Sequence, residues 1–196
     1  MDNHLRFLQE GIGRGEERPL AELYKLLSRR LLHFAKTITR SDAAAEEIVE
    51  DVFVKLWTNR YRITEIDNLT VYLYVAVKNR SLNLLSQKAK SLTEAPYEDL
   101  DIVAGNMASD PYNRLVTTEM MQKMQQAVDN LPPRCKMIFK LVREDGLRHK
   151  EVAEILNISV NTVDVQMAIA IKKICTALQI SKPAAIMKFS QNNPKQ

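Results

Sequence analysis

The sequence predicts an all-α protein made of two small helical domains joined by an acidic linker. Apolar residues recur at three- and four-residue spacing along most of the chain, and clear strand alternation is absent. Five glycines and seven prolines in 196 residues leave long stretches free of breakers. That length allows one large domain or two small ones. With 45% hydrophobic and 27% charged residues and a net charge of +4, the composition is that of a folded globular protein and excludes wholesale disorder or a collagen-like chain.

The first breaker cluster is Gly11-Ile12-Gly13-Arg14-Gly15. It lacks the Gly-Lys-Ser/Thr ending of a phosphate loop and follows no strand, so it reads as an interhelical turn. Pro19 then suits the first turn of a helix carrying Leu20, Leu23, Leu27, Leu31, Phe34 and Ile38 at helical spacing. Ser41 and Asp42 can cap the next helix, Ala43 to Asn59, whose apolar stripe is Ile48, Val49, Val52, Phe53, Leu56 and Trp57. The run Thr70 to Val77 is rich in β-branched and aromatic residues and would make a strand if read alone. With no partner strand available, and with Leu84 and Leu85 continuing the helical period, it reads as a helix from about Leu69 to Ala89.

From Ser91 to Val116 the composition changes, with one basic residue against five acidic ones and Pro96, Gly105 and Pro111 interspersed. The net charge is +3 before this stretch, −4 within it and +5 after it, which marks two basic helical modules flanking an acidic linker. The predicted domains are therefore residues 1–90 and 117–180, with a linker at 91–116 and a tail at 181–196 that is expected to fray. Within the second module, Met120 to Asn130 reads as a helix and Pro132-Pro133 opens another that runs to Glu144. Asp145-Gly146 turns the chain. A short helix from His149 to Leu156, a turn at Asn157-Ile158-Ser159 and a helix from Val160 to about Leu178 complete it.

This last arrangement has the layout of a helix-turn-helix, in which Asn157 can take the left-handed conformation and Ser159 can cap the second helix. Its core stripe is Val163, Met167, Ala170, Ile171, Ile174 and Leu178. Off that stripe, Asn161 and Gln166 carry amides able to pair with adenine, Thr162 can bond a base or phosphate, and Val165 or Ile169 can pack on a thymine methyl. Arg148, His149, Lys150, Lys172 and Lys173 are candidate phosphate clamps, which give position and affinity without reading sequence. A generic helical hairpin is the alternative to a DNA-reading one.

The first module offers two polar faces. On the helix beginning at Ala43, Glu46/Glu50 and Glu47/Asp51 are like-charged pairs at i,i+4, each costing roughly 0.2–0.5 kcal/mol in an isolated helix. Helix stability therefore does not account for this face, although the nearby helix N-terminus offsets part of the cost. A basic partner would account for it, and a solvated acidic face is the alternative. On the following helix, Asn79, Asn83 and Gln87 recur every four residues beside Lys78, Arg80 and Lys88, with Tyr72 and Tyr74 one to two turns earlier. Amides can bond base edges, cations can hold phosphates and exposed rings can stack on unpaired bases. The competing reading places the tyrosines in the core and leaves the amides merely solvated.

Signatures of catalysis are missing. His4, His33 and His149 are scattered, no carboxylate or histidine set has metal-ligand spacing, and no cofactor is expected. Cys135 and Cys175 form neither a Cys-x-x-Cys pair nor a zinc cluster and read as buried thiols. The longest run without a charge, Asn68 to Val77, is half of the roughly 20 residues that span a bilayer. Met1-Asp2-Asn3-His4 does not begin a secretory signal, so a cytoplasmic location is expected.

Two separate blocks of residues resemble the extracytoplasmic-function sigma factors of bacteria, the small two-domain kind, and look most like those of Bacteroides-type bacteria. Ala45-Glu46-Glu47-Ile48-Val49-Glu50-Asp51-Val52-Phe53-Val54-Lys55-Leu56-Trp57 is similar to the family's polymerase-binding helix, and Tyr72 to Arg80 to the start of its minus-ten helix. Leu131-Pro132-Pro133-Arg134-Cys135, Gly146-Leu147 and Lys150 to Val163 are similar to its minus-thirty-five module. The resemblance implies a sigma region 2 bundle and a sigma region 4 helix-turn-helix. It further implies that core RNA polymerase, through its largest-subunit coiled coil and its flap, and promoter DNA are the partners, and that an anti-sigma factor, often membrane-anchored, masks the polymerase-binding face. Glu47, Glu50, Asp51, Phe53 and Trp57 become the polymerase contacts. Tyr72, Lys78, Asn79, Arg80, Asn83 and Gln87 become the minus-ten contacts, where a base is flipped into a pocket. Arg148, Lys150, Ser159, Asn161, Thr162, Val165, Gln166, Lys172 and Lys173 become the minus-thirty-five contacts.

The chain departs from the family pattern at a few places. Asn83 stands where Asp is common, Gln87 where a basic residue is common, and Ala168 and Ile169 where polar or basic residues are usual, while Asp164 adds a negative charge to the recognition helix. The linker length suits two separated DNA elements. Its 26 residues reach roughly 86–94 Å when extended, against a gap near 70 Å for roughly 20 base pairs. Two other functions compete with this one. A stand-alone helix-turn-helix regulator leaves residues 1–90 without a role, and an all-helical interaction protein leaves the polar faces without one.

Overall fold

The computed structural model describes residues 2–91 and 118–179, and every regular element within them is helical. Contacts divide the chain into two compact units. Most of the linker assigned to 91–116 and the whole tail 181–196 lie outside the described residues; Ser91 closes a helix.

The first unit contains α1 (Asp2–Gly13), α2 (Glu17–Thr39), α3 (Asp42–Thr58), a 3-10 turn (Arg60–Glu65) and α4 (Leu69–Ser91). Helix α2 is its axle, packing against α1, α3 and α4. Leu23, Leu27, Leu31 and Phe34 are buried along the expected stripe, whereas Leu20 and Ile38 at its ends are half-buried. Each fully buried side chain of this size contributes roughly 1.5–3 kcal/mol. The ring of Phe34 lies 5.2 Å from that of Tyr74, which is 1% exposed and belongs to the core. Tyr72, two residues earlier, is 45% exposed. The tyrosine question raised by the sequence thus divides between the two faces of one helix.

Local chemistry sets the ends of these helices. Arg40 takes a left-handed φ of 57° and its N–H bonds the Lys36 carbonyl at 2.8 Å, ending α2. Ser41 Oγ then accepts from the Ala44 N–H at 3.3 Å to start α3. Asn68 Oδ1 accepts from the Val71 N–H at 3.1 Å and starts α4.

The glycine-rich stretch is a correction to the sequence reading. Gly11 and Gly13 lie inside α1, and only Arg14-Gly15, with Gly15 at φ 86°, makes the turn. Gly11 is required for close approach, since a Cβ there would come within 2.6 Å of Pro19 Cγ.

Then come α5 (Thr118–Asp129), α6 (Pro133–Arg143), α7 (His149–Leu156) and α8 (Val160–Ala177), which make up the second unit apart from residues 154–157. Helix α8 packs against α5 and α6. The core there gathers Ala127, Val128, Leu131, Cys135, Ala170 and Ile174, with Phe139 and Leu178 against it. Pro133 opens α6, where its missing N–H leaves no bond unmade. Lys136 is 5% exposed and its Nζ lies 3.3 Å from Asp129 Oδ1, so this buried cation is paired. Both cysteines are buried and free. Burial pushes the Cys135 thiol pKa up, against a smaller lowering by Lys173, and Cys135 Sγ donates to the Gln166 carbonyl at 3.2 Å.

Candidate nucleic-acid interface

On α3 the acidic residues stand clear of the packing. Glu46, Glu47 and Glu50 are exposed while Ile48, Val49, Val52 and Leu56 are buried on the opposite side. Val54 joins the acidic face at 63% exposure, an apolar member that the sequence reading left off the helix's apolar stripe and gave no role. Trp57 is half-buried, with the Arg60 guanidinium 4.7 Å from its ring centroid and Arg60 Nη1 donating to the Trp57 carbonyl at 3.1 Å. Phe53 requires a correction. It is 5% exposed and meets Tyr24 edge-on at 4.9 Å, so it belongs to the core and does not lie on the exposed acidic face.

On α4, Tyr72, Asn79, Asn83 and Gln87 are all exposed and their spacing places them on one stripe. Lys78 is half-buried beside it. Arg80 is committed elsewhere, since its Nη2 bonds Asp51 Oδ2 on α3 with both side chains about half-exposed. A residue expected to touch polymerase and a residue expected to touch DNA therefore hold each other. The sequence alone gave no sign of this, because the two are 29 positions apart.

Between the end of α3 and the start of α4 the chain forms the 3-10 turn, which was not foreseen. Turn and helices enclose a hollow of about 510 Å³ lined by Leu56, Asn59, Arg62, Ile63, Ile66 and Tyr72, among others. That volume falls in the range of small-molecule sites, roughly 300–1,000 Å³. Leu56, Ile63 and Ile66 give the hollow apolar walls. Its polar groups are the Asn59 amide, the Tyr72 phenol and the Arg62 guanidinium, whose Nε lies 3.2 Å from Glu65 Oε2, a set able to meet a flat heteroaromatic group that also needs hydrogen bonds.

In the second unit, α7, turn and α8 form the expected helix-turn-helix. Asn157 has φ 54°, and Ser159 Oγ accepts from the Thr162 N–H at 3.0 Å. Ser159 and Thr162 hydroxyls also meet at 2.8 Å, so both work first as the cap of α8. Asn161, Val165, Ile169, Lys172 and Lys173 are exposed and Gln166 is half-buried, while Val163, Met167, Ala170 and Ile174 are buried. Arg148 and Lys150 are exposed at the start of α7, where the Arg148 N–H bonds Glu151 Oε2 at 2.7 Å. His149 differs from its expected clamp role, with Nδ1 lying 2.5 Å from Asp164 Oδ1, so the acidic group on the recognition helix is held by a neighbour.

Comparison with known proteins places these faces in one context. The model of sigma-70 region 2 matches residues 23–91, and that of sigma-70 region 4 matches residues 121–174. The sigma factor SigW of Bacillus subtilis, of the extracytoplasmic-function group, is 22% identical over 160 residues, covering 78% of this chain and 84% of that one. The sigma-E factor of Escherichia coli, from the same group, is 23% identical over 168 residues, covering 80% and 84%. The chain is an extracytoplasmic-function sigma factor of the sigma-70 family. This sigma factor is also similar in structure to RpoE of Bartonella quintana, solved with the anti-sigma factor NepR, at a TM-score of 0.58 and 18% identity, covering 83% of this chain and 98% of that one. CnrH, solved with the cytosolic domain of CnrY, gives a TM-score of 0.56 at 16% identity, covering 91% and 99%. Both structural likenesses concern the fold. Among the described residues, no helix of the sigma factor is long and apolar enough to cross a membrane.

Proposed function

We propose that this sigma factor binds core RNA polymerase through the acidic face of α3, reads the minus-ten element through α4 and the hollow beside it, and reads the minus-thirty-five element through α8. The observation that carries this is the combination, in one chain, of an exposed acidic face with an exposed amide and tyrosine stripe and a capped recognition helix. Glu47, Glu50 and Trp57 supply the polymerase contact, and Val54 adds an apolar anchor to it. Exposed carboxylates steer the approach of a basic partner, and the half-buried indole supplies contact area.

At the minus-ten element, Asn79, Asn83 and Gln87 meet the melted strand, Tyr72 stacks on a base, and the hollow takes a base flipped out of the stack. Unstacking costs a few kcal/mol, which stacking on the ring and burial in the hollow offset. At the minus-thirty-five element, Asn161 and Gln166 read base edges in the major groove, Val165 and Ile169 meet methyl groups, and Arg148, Lys150, Lys172 and Lys173 hold phosphates. Ser159 and Thr162 act there by fixing the start of α8. The sigma factor contributes recognition and DNA opening in the cytoplasm, and the bond-forming chemistry belongs to polymerase. An anti-sigma factor that covers the α3 face is the regulatory partner this arrangement fits.

The test is capture of purified core polymerase by the sigma factor, followed by binding of the complex to forked DNA with a single-stranded minus-ten segment. Complex formation and strand binding that needs both proteins are expected. No association with polymerase, together with tight binding of the isolated chain to duplex DNA, would contradict the proposal.

A further inference from the structure

Helix α1 lies outside both family matches, yet it holds the wall of the hollow. Gln9 on α1 is 6% exposed, and its Nε2 donates to the carbonyl oxygens of Ile63 at 3.0 Å and Ile66 at 2.9 Å. Both of those residues line the hollow. The Ile63 carbonyl also accepts the Ile66 N–H at 3.2 Å, which closes the turn, and Gln9 adds a second donor there and one at Ile66, just beyond the turn. A single amide from a distant helix thus ties the last part of the turn and the residue after it to α1. Gly13 brings the end of α1 against the same turn, since a Cβ there would lie 3.4 Å from Thr64 Cγ2 and 3.6 Å from Ile63 Cγ2. A helix that contributes no lining residue therefore sets the position of the residues that do.

We infer that Gln9 is a positioning residue for base selection at the minus-ten element. By tying Ile63 and Ile66 it fixes the width of the hollow, and so it governs which base is accepted without touching that base. A side chain of similar size lacking N–H groups would remove the bonds that tie both carbonyls to α1, leaving Ile63 only the Ile66 N–H, and the turn would shift away from α1. This inference rests on the reading of the hollow as the base site.

The test uses the full chain assembled with core polymerase and forked promoter fragments in which the single-stranded minus-ten bases are varied one at a time. Gln9→Met is expected to flatten the preference between best and worst base at one position by about tenfold, with affinity for core polymerase and preference at the minus-thirty-five element unchanged. A merely destabilised protein has a smaller active fraction, which lowers binding to every fragment alike and leaves the ratio where it was. Gln9→Asn keeps a shorter amide and should give an intermediate ratio; it decides the matter alone if Gln9→Met does not fold. Unchanged ratios in the Gln9 variants, alongside altered ratios in Tyr72→Leu and Arg62→Ala, would overturn the role of Gln9 and leave the hollow as the base site. Unchanged ratios in all of these variants would overturn both.

Discussion

In the second unit the groups proposed to read DNA sit mostly on one helix, whose start is fixed by its own cap. In the first they are spread over α3, a 3-10 turn and α4, and are tied together by long-range side-chain bonds from Gln9 and between Asp51 and Arg80. The difference follows from the proposed targets. A rigid duplex groove presents base edges at fixed positions, so a single well-started helix suffices. A melted strand has no fixed shape, and a protein that captures it must supply the shape itself, from several elements held in register.

This contrast yields ordered expectations. The largest effect belongs to the α3 face. Glu47→Lys with Glu50→Lys reverses charge at exposed positions, and polymerase-dependent transcription should fall by about a hundredfold while circular dichroism is unchanged. If a comparable loss appears in duplex binding by the second unit, the two units do not divide the work as proposed. Next is the recognition helix. Asn161→Ala or Gln166→Ala should each reduce discrimination at one minus-thirty-five position by about 1–3 kcal/mol, read from competition between duplexes, with minus-ten preference untouched.

The two caps sharpen the comparison of stability. Ser159 Oγ accepts at 3.0 Å and Ser41 Oγ at 3.3 Å. Ser159→Ala should therefore cost about 1 kcal/mol and Ser41→Ala about half of that, measured by denaturant unfolding. The smallest effect is the Asp51 and Arg80 pair. Both side chains are about half-exposed, so solvent screening limits their coupling to roughly 0.5 kcal/mol. A double-mutant cycle of Asp51→Ala and Arg80→Ala at low and high salt measures it, and the coupling should shrink as salt rises.

Features written in consecutive residues were legible before the structure. The left-handed Asn157, the Ser159 cap, the opening proline of α6 and the burial of Cys135 and Cys175 all follow from local pattern. The Thr70 to Val77 run was settled as helix by the absence of any strand to pair with, and α4 indeed spans it. What escaped depends on residues far apart. The 3-10 turn has no strong periodicity of its own and is held by Gln9 from 54 and 57 positions away. Phe53 shares the apolar stripe of α3, and only its contact with Tyr24 decides that it packs inward. Gly11 looks like a turn residue in sequence but serves the close packing of two helices.

The most direct test of the division of labour is transcription by purified core polymerase across a promoter library of the host genome, with and without this sigma factor. New, discrete start sites that share two spaced upstream elements are expected. Absence of new starts, together with polymerase-independent binding to duplex DNA, would contradict that division and favour a stand-alone regulator.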